Sequence, residues 1–453
     1  MIMKILIIYE LENREYDNAQ LLAAELVRRG HTAIIESKAT CLKFRKNIDI
    51  LIIPNCYTTD NYELYTYMTN AKDIPVFNLQ YEQVLSQAGE KRGYHNPKGK
   101  ARQAIHLCWG EASYNRLLSS GVEADHLRIT GAVQLDFLRE GFAEYYIPRD
   151  AIAKTHGIEN CKQWLLYISS FTMAADNARP SVGSGIHDVN ALKFIKLSQS
   201  SRRKTFKWFE RILNESSDII IIYRIHPAER EDQFLKAFQD RFIGQFYLVD
   251  SYSVKQWISV SDLVCTWFST SIVESYFAKK MCYILRPVKI PEEIDSVIFK
   301  NSSVIESVEE FQTLVKKDKN EFSVAEFPIS SELINAYYDY HPDKQAFVRV
   351  ADEIEAYGFD KSGEHGRTDQ ERFAMNRYKF LFTKPFAAKS GLEDLYIALY
   401  KRFKVRLRKI SPIKARYLGV LEKRCDSSVE KQASRAQNYD KLRSIINATN
   451  SKP

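Results

Sequence analysis

No run in this sequence approaches the roughly 18 apolar residues that a membrane-spanning helix needs, so no such helix is expected. Cysteine is sparse: seven residues, an odd number, widely scattered and never in C-x-x-C spacing. That excludes a zinc knuckle and a dithiol redox motif. Cys265 and Cys282 lie inside apolar runs, where a free thiol behaves as a small hydrophobe, and a reducing cytoplasm is the simplest expectation. There is no Asp-x-Asp and no His/Cys cluster at ligand spacing, so no metal is expected. The N-terminus has a short apolar stretch, residues 5–8, that runs into Glu10 and Glu12 without a small-residue cleavage site; no signal peptide is expected. No solenoid-type repeat is visible.

What is present suits a globular chain. The 453 residues suffice for two or three domains, and 45% hydrophobic with 27% charged residues argues against wholesale disorder. Tyr and Phe together number 51, which suits apolar grooves, although core packing is the commoner use of such rings. The net charge of +8 is unevenly placed: residues 377–424 hold 14 Lys/Arg against 3 Asp/Glu, a local +11, leaving the rest near −3.

Apolar runs and helical periodicities alternate along the first two thirds. Strands are predicted at 3–9, 32–36, 48–54, 74–79, 104–109 and 126–130, with helices at 18–29, 62–70 and 111–120 between them. A polar connection at 145–160 separates this from a second set. There strands are predicted at 163–170, 218–224, 246–249, 263–267 and 281–286, with helices at 189–214, 229–242, 253–259 and 271–279. Alternation of this kind predicts parallel sheets covered by helices, an α/β fold of two doubly wound Rossmann-type domains. The boundaries read as 1–145, 160–330, a helical extension 331–425 with the basic amphipathic segment, and a polar tail of low order at 426–453.

Ligands of open parallel sheets bind beyond the carboxyl ends of the strands. In the second domain that rule selects Ser169-Ser170-Phe171, Arg224 to Pro227, Asp250-Ser251, and Phe268-Ser269-Thr270-Ser271. Hydroxyl residues opening a helix present Oγ and backbone N–H donors to an anion. Glu274, three residues beyond Ser271, has two readings: a capping-box partner of Ser271, or an acceptor for a ribose diol. Pro227 stiffens the turn and fixes how His226 projects, and Arg224 offers a bidentate phosphate contact. A His-Pro dipeptide alone is more often a mere turn.

The ensemble Arg224-Ile225-His226-Pro227 followed by Asp262 to Glu274 resembles the C-terminal domain of bacterial surface-polysaccharide glycosyltransferases. It is most similar to the group of CDP-glycerol glycerophosphotransferases, polysialyltransferases and capsule Kdo transferases. Asn13-Arg14-Glu15, Leu79 to Gln83, and Trp109-Gly110 with Gly131-x-x-x-Leu135-Asp136 resemble related surface-carbohydrate proteins; the likeness spans roughly 1–330. It implies a GT-B-like architecture, the two domains facing a cleft, and a nucleotide-activated donor around His226 and the serine loop. In that group a cytidine nucleotide is the donor, CMP-Kdo being one such; here the motif is Ser-Thr-Ser rather than Ser-Ser. It also implies metal-independent transfer to a cell-surface glycan or lipid-linked glycan, with the nucleotide sugar as substrate and no cofactor.

The N-terminal domain would then bind the acceptor and supply a general base. Glu82 is the first choice, with Glu12 and Glu15 next; a solvated loop glutamate is the competing reading for each. Arg14, Gln80, Lys91 and Arg92 are candidates for holding the acceptor or an anion, surface positions being the bland alternative. The segment 377–424 reads either as an amphipathic pair on anionic lipid, at the inner face of the cytoplasmic membrane, or as a packing helix; no recognised module supports nucleic acid. Rival functions are a nucleotide-sugar 2-epimerase of the same fold and a non-catalytic polysaccharide assembly protein.

Overall fold

A computed structural model describes residues 2–38, 48–66, 74–175, 189–226, 229, 232–317, 327–357 and 429–450. Six strands form the first sheet: β1 (Lys4–Tyr9), β2 (Thr32–Ser37), β3 (Ile50–Ile53), β4 (Val76–Asn78), β5 (Ile105–Cys108) and β6 (Leu127–Ile129), in the order β2-β1-β3-β4-β5-β6. Five form the second: β7 (Gln163–Ile168), β8 (Ile219–Arg224), β9 (Phe246–Val249), β10 (Leu263–Thr266) and β11 (Cys282–Ile284), in the order β11-β10-β7-β8-β9. Every pairing between these strands is parallel. The fold is α/β with two Rossmann-type domains, as the strand-helix alternation predicts.

The apolar runs become strands because both faces are covered. Along β1 and β3 the side chains alternate between two cores: Ile5, Ile7, Ile50 and Ile52 on one face, Leu6, Ile8, Leu51 and Ile53 on the other. In the second sheet Trp164, Leu166 and Ile168 face one way, Leu165 and Tyr167 the other. The first-named faces of the two sheets belong to one continuous apolar cluster, so a shared core joins the domains. Polar contacts add to it: Gln256 exchanges two bonds with the Ile147 backbone at 2.8 and 2.9 Å, and Val297 N donates to Leu85 O at 2.9 Å.

After the second sheet the chain returns to the first domain. The helices Ser331–Tyr337 and Ala346–Ala356 pack on its outer edge. A Cβ on Gly110 would lie 2.7 Å from the carbonyl oxygen of Ala336, and Gly131, at φ +78°, stands equally close to Asp339 O. Backbone meets backbone there, and only glycine fits. Arg349 and Arg29 tie the second helix down through Ile129 O and through Asp352 and Glu355.

Three expectations need correction. Instead of a polar tail of low order, the structure has a helix, Val429–Asn450, lying on the helix Asp17–Arg28. It buries Leu442, Ile445 and Ile446, and Gln20 Nε2 donates to Arg435 O at 2.9 Å. So few apolar positions give almost no periodic signal; tertiary contact stabilises the helix. The helix after the serine loop is only Ile272–Phe277, and the one after His226 starts at Gln233. The basic segment 377–424, with its membrane and packing readings, lies outside the described residues. Among the described residues no helix is long and apolar enough to cross a membrane.

Candidate functional site

The strand orders locate two crevices. β7 lies between β8 and β10, and the chain leaves β7 towards β8 on one side and returns through β10 on the other. The loops after β7 and β10 therefore diverge, opening a space beyond the paired ends Ile168 and Thr266. In the first sheet the same reversal falls between β1 and β3, beyond Tyr9 and Ile53. Loops at the carboxyl ends of the two sheets meet across the domains: Asn13, after β1, donates from Nδ2 to Asp250 O, after β9, at 3.4 Å, and the charges of Arg14 and of Glu82, after β4, both act on His226, after β8.

In the second domain the predicted residues divide. His226 is mostly withdrawn from water, and burial, aided by Arg14 and Arg224, pushes its imidazole down to about 4, so the ring is neutral near pH 7. Ser170 Oγ, at the end of β7, is buried with no hydrogen-bond partner, and so is Glu274 Oε2. Ser269 Oγ accepts from Ser271 N at 3.3 Å, while Ser269 N donates to Thr266 Oγ1 at 3.0 Å, so the serine loop is held in a defined turn that includes Thr270. Below it Arg286 donates to the Trp267 carbonyl and clasps Asp295 at 2.9 and 3.1 Å. The capping-box reading fails: Ser271 makes no side-chain cap bond, and its backbone is helical at φ −61°, ψ −11°. Burial then pushes the Glu274 carboxyl up to about 7, against the pull of Lys255.

Two predicted donor residues are otherwise engaged. Ser169 Oγ points inward to Tyr223 Oη at 2.7 Å and to the Glu229 carboxylate, and accepts from Phe171 N. Arg224 spends both terminal nitrogens on backbone carbonyls of Ile225, Val249 and Tyr252, which fixes the loops after β8 and β9. Burial lowers its pKa to about 10. In this structure both side chains bond other groups of the protein. Pro227 lies outside the described residues.

In the first domain a widened helical turn, Glu12–Tyr16, follows β1 and carries Arg14 towards the cleft. Its Nε bonds Glu15 Oε1 at 3.0 Å, and its Nη1 bonds Glu82 Oε1 at 3.2 Å. Glu15 is wholly buried and also accepts from the backbone N–H of Glu10 and Leu11, so it aims Arg14 rather than acting as a base. Burial works against the Arg14 charge, and the carboxylates of Glu15 and Glu82 more than restore it. Glu82 keeps 45% of its side chain exposed, with His95 Nε2 3.5 Å from its second oxygen. Glu12 pairs with Arg435 of the C-terminal helix rather than with this group.

Gln80 is buried in a left-handed conformation, φ 42°. It accepts from Asn78 Nδ2 at 3.1 Å and reaches the His95 carbonyl at 3.5 Å. Lys91 and Arg92 are exposed at the end of the short helix Gln87–Lys91. The structure thus gathers Arg14, Glu82 and His226, while Gln80, Ser169, Arg224 and Glu12 bond other groups of the protein. Sequence reasoning missed His95, stacked between Tyr57 (4.4 Å) and Tyr94 (4.1 Å), though it stands three residues beyond the candidate Arg92. It also missed Glu229, masked as an ordinary acidic residue after a turn. Among the described residues one trio with ligand-like spacing exists, Glu123, Asp125 and His126, exposed before β6 at the sheet edge opposite the cleft.

No protein-family model matches the sequence, and no curated protein does. Among solved structures, the chain is similar to Staphylococcus aureus MnaA in a co-structure with UDP: 15% identity, covering 79% of this chain and 97% of that one, TM-score 0.49. It is similar to the wall teichoic acid polymerase TagF, at 11% identity, 78% and 88% coverage and TM-score 0.49. A UDP-GlcNAc 2-epimerase from Neisseria meningitidis bound to UDP-GlcNAc matches at 13% identity, 78% and 99% coverage and TM-score 0.46.

Proposed function

We propose that this protein is a glycosyltransferase of GT-B type that takes a sugar from a nucleotide-activated donor, a cytidine nucleotide by preference, to a cell-surface glycan acceptor. The observation that carries the reading is the meeting of the carboxyl-end loops of the two sheets, where Arg14 and Glu82 of the first domain stand opposite His226 of the second. The donor lies in the second crevice. Ser170, Ser269, Thr270 and Ser271 offer hydroxyl donors to its phosphate, Glu274 accepts from the ribose, and the neutral His226 donates one N–H.

In the transfer step the acceptor hydroxyl loses its proton to Glu82 and its oxygen bonds the anomeric carbon. The bond from that carbon to the phosphate oxygen breaks, and the electron pair leaves with the nucleotide. Arg14, held charged by Glu15, and the hydroxyl donors neutralise the departing phosphate. The cytidine preference rests on the likeness of the His-Pro and serine motifs to the cytidine-using group. The decisive experiment is a transfer assay with CMP- and CDP-activated donors and release of the free nucleotide as readout; release that does not depend on acceptor would sink the transfer claim.

The same clustering favours a second reading. An epimerase needs acid and base groups about one sugar carbon, and Glu82, His95 and His226 form such a set. Conversion of UDP-GlcNAc to its 2-epimer, with no acceptor present, would establish it.

A further inference from the structure

Arg116 is a buried cation that the proposed transfer does not use. It lies on the helix Glu111–Ser119, behind the loop that carries His95. All three of its guanidinium nitrogens are closed off from solvent, and none has a hydrogen-bond partner. A guanidinium carries five N–H donors, and burying them unmatched costs several kcal/mol. Glu90 is the nearest opposing charge, but it makes no ion pair with Arg116 within 4 Å; it instead accepts from Tyr337 Oη at 3.0 Å, and burial raises its own pKa. Tyr57, Cys108 and Tyr337 complete the surroundings.

Other orphaned groups lie beside it. His95 Nδ1 and Asn96 Oδ1 are buried without partners, and Arg116 is close enough for its charge to act on the His95 ring. Ser113, one turn earlier on the same helix face, buries an unpartnered Oγ. Buried polar groups are almost always satisfied, so the unmatched donors of Arg116 and Ser113 in one neighbourhood point to a missing acceptor-rich group. Arg116 follows β5, whose last residue is Cys108, and His95 lies on the loop from β4 to β5; both are at the carboxyl edge of the first sheet, on the acceptor side of the cleft. The His95 ring between Arg116 and the cleft is held by stacking on Tyr57 and Tyr94 and by a 3.5 Å approach to Glu82.

We propose that Arg116, with His95 and Ser113, forms an oxyanion subsite in the first domain that holds a phosphate or carboxylate group of the acceptor. The proposal rests on the transferase reading for the word acceptor, but the subsite itself does not. The fork of Arg116 matches either oxyanion, and the imidazole and hydroxyl add donors on a second side.

The test measures the melting temperature of the full chain with inorganic phosphate, and separately with acetate, in a His226→Ala background that disables the nucleotide crevice. Phosphate or acetate is expected to raise the melting temperature of this parent, and whichever does so identifies the oxyanion class. Arg116→Met is expected to abolish that increment while melting no lower than its parent without added anion, because an unpaired buried cation has been replaced by an apolar chain of similar length. Arg116→Lys, which keeps charge but loses the fork, is expected to retain a weakened increment. An increment that survives Arg116→Met, or the absence of any increment in the parent, overturns the proposal. So does a lower melting point of Arg116→Met without anion, which would make Arg116 a structural partner of Glu90. Failure of nucleotides to stabilise the unmutated chain, with the phosphate effect intact, would count against the transferase reading alone.

Discussion

Arg14 shows how one side chain is prepared for work. Glu15 is spent entirely on orienting it, through the guanidinium on one side and the backbone N–H groups of Glu10 and Leu11 on the other, which leaves Nη1 for Glu82. Removing the base should therefore separate from removing the anchor. Glu82→Gln is expected to lower the transfer rate about 10²-fold or more, the usual worth of general base catalysis, while nucleotide-induced stabilisation is unchanged. An unaltered rate would return Glu82 to the solvated loop glutamate it resembles in sequence. Glu274 makes a pH prediction. Its carboxyl is raised from 4.5 to about 7 by burial, so folding favours the protonated form. Stability from this group is complete below pH 4.5 and is lost as pH rises to 7, a difference on the order of 3 kcal/mol. Glu274→Gln should accordingly be more stable than the parent in urea unfolding at pH 8, with the gap closing towards pH 4.5. A gap that is constant with pH would mean that the carboxyl is not held neutral.

At the scale of elements, two kinds of signal reach the fold. β8, with six buried residues in a row, announces itself, and the long runs of β1 and β7 do the same. The C-terminal helix does not, because what holds it is a handful of contacts to a helix more than 400 residues earlier, such as that from Gln20. Leu442→Ala is expected to cost about 2–5 kcal/mol, a loss typical of a buried leucine, and to expose the helix to proteolysis. Resistance to cleavage as strong as the parent's would show that the helix contributes little. The glycines predict a contrast. Gly131→Ala meets the Asp339 carbonyl as well as its own left-handed backbone, whereas Gly157, at φ +65°, has open space around its missing Cβ. The second substitution should cost about 1 kcal/mol in denaturant unfolding and the first clearly more, since strain and clash add. Equal costs would mean that the 331–357 segment yields easily. Legibility of the site follows the same division. Residues at strand ends, such as His226 and the serine loop, are found from strand order alone. Whether a side chain there turns inward, as Ser169 and Arg224 do, depends on partners from other elements, Tyr223, Glu229 and the loop after β9, that no local pattern reveals.

For the whole molecule, a continuous core and several backbone contacts hold the two sheets together, while their diverging loops leave the cleft polar. The central claim is that a nucleotide occupies the second crevice and reaches across to the first. Thermal shift of the full chain against CMP, CDP, UDP, GDP and ADP tests it most directly. A ligand at 100 times its Kd adds about 2.7 kcal/mol to the folded state. The account predicts the largest rise in melting temperature with a cytidine nucleotide, its loss in His226→Ala, and its reduction in Arg14→Ala, on the opposite domain. No rise with any of the five nucleotides would contradict the account.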